Sequence, residues 1–331
     1  MASNRKRIAG IGLAIVAAIA AYGALQYSEL RARYTEHRLS GATTHEERLS
    51  LATQLFRSGE AGQNRLFQNL ISGDEAMCTS IGEAIQTSLA TLPAIDPQRA
   101  EYANRILATY ENDSESGQVV VLNLAPEFLK CSDPAILDKV RVVVKSGLGS
   151  SNSVRAIAAK IAARPGMKLH AELQPLLHDA EPSVRASALL GVGTANDTTL
   201  PDDELFRWLN DPASEVRTVC EAVLQTRGRS ATDINMGRRL THPNATERLS
   251  LLLDLAEEPG RDVGPWLECL SRDSEPAVRA AAARVAIETK VLFANWIEVL
   301  AKNDPDATVR QVATYHRTRA NGTLTPTSYA P

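Results

Sequence analysis

A histidine beside a glutamate can offer a metal one nitrogen and one oxygen ligand, and the chain holds such a pair at His45-Glu46. One pair does not make a metal centre. His37, His170, His178, His242 and His316 are scattered and lack acidic neighbours at the needed spacing. Cys78, Cys131, Cys220 and Cys269 form no C-x-x-C pair, so the usual sulfur signature of zinc or of a redox dithiol is missing. The chain carries no glycine-rich phosphate loop, no G-x-S-x-G elbow, and no Ser, His and Asp grouping that sequence alone draws together. The sequence therefore predicts no catalytic residue, no bound cofactor and no metal.

What does recur is an acid and a base at one fixed distance. An Asp stands six residues before an Arg in Asp179 and Arg185, Asp211 and Arg217, Asp273 and Arg279, and Asp304 and Arg310. A carboxylate and a guanidinium form strong, directional, charge-assisted bonds where they meet.

The elements that position them follow from the period. A Val-Arg dipeptide recurs at Val154-Arg155, Val184-Arg185, Val216-Arg217, Val278-Arg279 and Val309-Arg310, at intervals of 30, 32, 62 and 31 residues. The long interval is two periods, and Glu247-Arg248 stands where the missing member belongs. Gly149 and His242 hold the Asp position in the remaining two units. Pro182, Pro212, Pro243, Pro276 and Pro305 sit just after that position or close to it, where proline opens a helix without losing a needed N–H. Downstream, apolar residues step by three and four, as in Val184, Ala188 and Val192, or Val216, Cys220 and Val223. Upstream lies a second helical pattern, as in Leu205-Trp208-Leu209 and Trp266-Leu267-Leu270. Trp208, Trp266 and Trp296 recur on these first helices and read as core. Each unit is a helical hairpin.

These units resemble the HEAT repeat, and the short period is most similar to the HEAT-like subclass of phycobilin lyases and related proteins. The resemblance covers residues 134–318 and implies an all-α fold, an α-solenoid of HEAT-like hairpins. It also implies that Asp179, Arg185, Asp211, Arg217, Asp273, Arg279, Asp304 and Arg310 form a ladder of hydrogen bonds and ion pairs between successive units, weaker where Gly149 and His242 replace Asp. Residues 28–133 read as a helical region of degenerate repeats, with helices over 44–56, 63–71, 77–89, 98–110 and 119–129, turn positions at Asp74 and Asp113, and a loop from Glu111 to Gly117. Residues 319–331 read as a flexible tail.

Composition limits the function classes. The chain has 331 residues, 44% hydrophobic and 23% charged, with 36 basic against 39 acidic side chains. That balance argues against a nucleic-acid binder, which needs a strongly basic surface. Aromatic residues make up only 5%, too few for recognition by stacking. Four cysteines exclude a disulfide scaffold. Cys220 falls on a buried stripe; if the domain lies outside the cytoplasm, Cys78 with Cys131 is the favoured pairing.

Residues 1–7 form a basic tail ending in Arg5, Lys6 and Arg7, and residues 8–27 read as a transmembrane anchor. The uncharged run from Ile8 to Leu25 reaches about 27 Å as a helix, enough to span a bilayer, with Tyr22 and Tyr27 placed as interfacial anchors. A cleavable signal peptide is the competing reading, through Ala18-Ile19-Ala20. The apolar run continues past that site. Arg31, Arg33 and Arg38 offset the leading basic trio, and the short N-terminal tail is expected inside, with the C-terminal domain extracytoplasmic.

The expected function is a single-pass, membrane-anchored, non-catalytic scaffold or adaptor that binds partner proteins, and no nucleic acid, through its solenoid surface. The alternative is an enzyme or enzyme subunit of the HEAT-like lyase type.

Overall fold

The computed structural model describes residues 26–131, 133–194, 200–257, 262–289, 291 and 295–320. Among these the protein is all-α, with eighteen α-helices packed in sequential pairs. It divides into two compact units, the first ending at Ala188 and the second starting at Leu189.

The first unit holds α1 (residues 26–41), α2 (His45–Arg57), α3 (Glu60–Ser72), α4 (Glu75–Ala90), α5 (Pro97–Leu107), α6 (Glu115–Phe128), α7 (Pro134–Leu148), α8 (Asn152–Ala162) and α9 (His170–Leu173). The division falls inside α10 (Pro182–Gly193). The second unit continues with α11 (Asp202–Leu205), α12 (Ser214–Thr226), α13 (Ala231–Leu240), α14 (Ala245–Glu257), α15 (Gly264–Leu270), α16 (Pro276–Glu288), α17 (Asn295–Asn303) and α18 (Ala307–Ala320).

Caps explain where the helices begin. The side chains of Thr44, Asp74, Asp96, Ser114 and Asp133 accept the orphan N–H groups of the first turns of α2, α4, α5, α6 and α7. Ser230 and Asp233 form a reciprocal capping box on α13. The Ser114 cap also corrects the expected loop at Glu111–Gly117. Tyr110–Asn112 is a short 3-10 turn and α6 starts at Glu115, because Ser114 Oγ accepts from Gly117 N at 3.1 Å.

Each second helix buries one stripe: Val216, Cys220, Val223 and Leu224 in α12, or Val278, Ala282, Ala283, Val285 and Ala286 in α16. Each buried Val or Leu contributes roughly 1.5–3 kcal/mol, and the alanines let helices approach closely. α2, α4, α6 and α8 contact one another in succession, as do α14, α16 and α18, while α5 packs on α7 and α13 on α15. Two layers result in each unit. Two of the first helices are truncated: α9 and α11 last one turn and pass into 3-10 turns at Gln174–His178 and Phe206–Asn210. In the former, Pro175 has no N–H with which to continue an α-helix.

Among the described residues no helix is long and apolar enough to cross a membrane. The expected anchor, 8–27, lies outside the described residues except for Gln26 and Tyr27, which open α1. The basic tail 1–7 lies outside them as well. Of the expected flexible tail, 319 and 320 belong to α18 and the rest is outside the described residues.

All four cysteines are free thiols, so the Cys78–Cys131 pairing, favoured only if the domain lies outside the cytoplasm, is not formed. The helix geometry explains this. Cys78 Sγ lies 4.0 Å from Ser114 Oγ, at the start of α6, whereas Cys131 follows the end of that 14-residue helix. At 1.5 Å per residue the separation is about 20 Å, against roughly 7 Å for a disulfide.

Candidate functional site

The repeated arginines do two jobs at once. In each turn the Nη1 group donates to the backbone carbonyls six and five residues before it. Arg185 reaches Asp179 O and Ala180 O at 2.8 and 3.0 Å. Arg217 reaches Asp211 O and Pro212 O at 2.7 and 2.9 Å. Arg248, Arg279 and Arg310 repeat the contact on His242, Asp273 and Asp304 at 2.6, 2.8 and 2.6 Å. These carbonyls end the preceding helix or turn and have no intrahelical donor, so a guanidinium satisfies them.

The remaining edge of the guanidinium reaches forward, to an Asp of the next turn. Arg248 Nε and Nη2 donate to Asp273 Oδ2 and Oδ1 at 2.6 and 2.9 Å. Arg279 makes the same fork on Asp304, both bonds 2.8 Å, with the carboxylate side chain only 2% exposed. Arg155 lies 2.8 Å from Asp179 through Nε, and its Nη2 reaches Oδ1 at 3.4 Å. Each Asp also accepts the N–H two residues on: Glu181, Ala213, Glu275 and Asp306 donate to Asp179, Asp211, Asp273 and Asp304 at 2.8–2.9 Å. The Arg279 fork holds the Asp304 carboxyl below its ordinary value, and Asp304 in turn raises Arg279.

Pairing thus joins an Arg to the Asp 24 or 25 residues later rather than to the Asp six before it, whose carbonyl it caps. Arg155 and Arg248 therefore belong to the ladder although Gly149 and His242 hold their own Asp positions. Sequence reasoning omitted both. His242 instead interrupts the arginine before it: 25 residues after Arg217 stands an imidazole whose Nδ1 accepts from Asn244 N at 3.1 Å. Among the described residues Arg217 pairs with no carboxylate. A worn counterpart lies in the first unit. Arg99, nearly buried, donates to Leu89 O and Leu92 O at 2.6 Å each and meets Glu127 at 3.2 Å. Its signal is the proline two residues before it, Pro97, at the opening of a helix.

His45 meets an acid other than Glu46. Its Nε2 is 3.0 Å from Glu83 Oε2 and its Nδ1 is 3.2 Å from Ser80 Oγ. This Ser, His and Glu grouping joins α2 to α4 across 35 and 38 residues, and local spacing carries no trace of it. It lacks the geometry of a nucleophile. Ser80 has no exposed surface and its hydroxyl already donates to Ala76 O at 3.0 Å, so no substrate reaches it and its proton is engaged. Among the described residues no three metal-ligating side chains converge.

Two open grooves mark the surface. In the first unit, α4, α6 and α8 frame about 760 Å³ lined by Glu75, Glu83, Glu115, Gln86, Asn123 and Val120 among others, with no Lys or Arg in the lining. Glu115 is held by the hydroxyls of Ser151 and Ser153, which keep its carboxyl below the ordinary range. In the second unit a cleft of about 690 Å³ opens beside the stacked rings of Phe206 and Trp266, 5.5 Å apart. Trp208 and Trp266 are buried. Burial pushes the Cys220 thiol up to about 12, in keeping with a core residue.

Fold and site together define an all-helical protein of sequentially paired helices, consistent with a helical repeat. Neither protein-family models nor the curated proteins provide a match to the chain.

Proposed function

We propose that this protein is a membrane-anchored, non-catalytic scaffold, a HEAT-like α-solenoid that holds partner proteins on its helical surface. The observation that carries this reading is the groove across α4, α6 and α8. It spans three successive second helices and mixes carboxylates and amides with Val119, Val120 and Ile157. Such a surface spreads affinity over many side chains and needs no short motif. The ladder supports the same reading, because its arginines and aspartates are engaged with each other and with the turns. The run from Ile8 to Leu25 supplies the anchor, and the C-terminal domain lies outside the cytoplasm.

Proximity labelling tests the proposal, with the labelling enzyme fused to the C-terminus of the full chain in its native host. Intact cells are expected to give one reproducible set of envelope proteins, and Glu83→Lys with Glu115→Lys to deplete that set without lowering the protein's abundance. An external protease is expected to remove the C-terminal domain from intact cells. Purely cytoplasmic labelling would overturn the topology, and a set unmoved by both groove charges would overturn the groove.

A further inference from the structure

The inner side of α1 is fully accounted for. Ala32, Thr35 and Leu39 are buried, and Arg65 of α3 takes both Glu29 and Glu36 at 2.5 Å. With 3.6 residues per turn, Tyr27, Leu30 and Tyr34 fall together on the opposite side. They are 69%, 61% and 66% exposed. Beside this stripe α1 and α2 enclose a cleft of about 480 Å³ lined by Arg31, Ser50, Thr53, Gln54, Arg57 and Ser58. No carboxylate lines it, and among the described residues neither Arg31 nor Arg57 is paired with one. The hydroxyls of Thr53 and Ser58 donate to Leu49 O and Leu55 O at 2.8 and 2.6 Å. The cations left to meet a ligand are two guanidiniums, whose planar forks suit phosphate oxygens.

We infer that this cleft holds the phosphate of an anionic lipid headgroup, with Tyr27, Leu30 and Tyr34 seated in the headgroup layer beside it. The inference rests on the anchored reading above. In that reading the apolar run stops at Leu25, and Arg31 follows six residues later, about 9 Å along a helix, within reach of the headgroups for a long side chain that extends toward them. Tyrosines and arginines on one side of a helix are the composition of a membrane-surface contact. A second copy of the chain fits less well. Two stripes face to face would bring Arg31, Arg33 and Arg38 of each copy together, and among the described residues the latter two meet acids only in exposed pairs, with Glu29 and Glu47 at 3.6 and 3.7 Å.

The test uses the full chain in bilayers of phosphatidylcholine, alone or mixed with phosphatidylglycerol. Resistance to carbonate extraction from the neutral bilayer reports the anchor by itself. Native mass spectrometry of protein released from mixed nanodiscs reports the cleft, and wild type is expected to retain phosphatidylglycerol about tenfold or more over the neutral lipid. Arg31→Gln with Arg57→Gln is expected to abolish that preference with an unchanged helical spectrum, Arg31→Lys with Arg57→Lys to keep part of it, and Arg33→Gln with Arg38→Gln to keep most. Equal retention of both lipids by a carbonate-resistant wild type overturns the inference and leaves the anchor standing. A chain that carbonate extracts, yet that binds phosphatidylglycerol vesicles through Arg31 and Arg57, keeps the cleft and refutes the anchor. Saturable binding of inorganic phosphate without any lipid preference identifies a free-anion site and overturns the lipid source.

Discussion

Arg279 closes its own turn at the carbonyl of Asp273 and grips the carboxylate of Asp304 in the next turn, with three of its bonds at 2.8 Å. Removing either partner strands the other in a buried place. Arg279→Ala and Asp304→Ala are each expected to cost about 3 kcal/mol or more, with strong non-additivity in the double variant. Arg217→Ala, which loses only bonds to carbonyls, is expected to cost about 1 kcal/mol. Denaturant unfolding checks the ordering, and equal costs for Arg217→Ala and Arg279→Ala would remove the forward pair as the source. Because the Asp304 carboxyl lies below its ordinary value, its contribution is present above the unfolded value and is lost as pH falls through the lower folded one.

His242→Asp is expected to mend the interruption. A carboxylate there still accepts Asn244 N and also meets Arg217, for a gain of about 1 kcal/mol, or roughly 2–4 °C in Tm. Thermal unfolding with and without Arg217→Ala checks it: the gain must vanish when the arginine is gone.

Asp113 behaves in the opposite sense to Asp304. Burial pushes its carboxyl up from 3.8 to about 6, only partly offset by the Thr109 hydroxyl at 2.9 Å. The folded value exceeds the unfolded one, so the native state binds the extra proton and stability falls as pH rises from 3.8 through about 6. Asp113→Asn is expected to be more stable than wild type at pH 7 by roughly 2–3 kcal/mol, with no advantage below the unfolded carboxyl value. Urea melts across that range decide it.

Ser80→Ala is expected to lower stability by about 1 kcal/mol, through the lost hydrogen bond to His45. A fluorophosphonate probe is expected to leave Ser80 of the folded protein unlabelled. Labelling at Ser80 would show that its hydroxyl is reactive despite its burial.

Thiol titration without reductant is expected to find Cys131 and Cys269 reacting before Cys78 and Cys220, and all four on unfolding. Burial raises all four thiols, but only Cys78 and Cys220 are fully covered.

The second helices could be read directly, because Val216, Cys220 and Val223 mark their buried stripe at helical spacing. Of the first helices, those marked by Trp266, Leu267 and Leu270 and by Trp296 and Leu300 could be read as well, but the one at Leu173 could not, since the apolar stepping of Leu173, Leu176 and Leu177 fits both an α-helix and the 3-10 turn that Pro175 enforces. The recurrence of Asp and Arg was plain, but its meaning was half hidden. A period shows that Asp179 and Arg185 belong to one motif, and not that Arg155 is the residue that holds Asp179. Ser80, His45 and Glu83 were invisible, being brought together only when α2 packs on α4.

The interruption at Arg217 also has a mechanical meaning. A chain that is tethered at one end and loaded elsewhere transmits tension from turn to turn, and the load finds the weakest fastening. Within the second unit Arg248 and Arg279 each clasp the following turn through a two-bonded carboxylate fork, whereas the turn of Arg217 meets that of His242 through neutral donors, Asn210 on Arg238 O and Thr241 Oγ and Thr241 on Phe206 O. Pulled end to end, this unit is expected to yield first between the turns of Arg217 and His242, as a fuse yields, while the helices from Arg248 onward stay locked and reseat when the force is released.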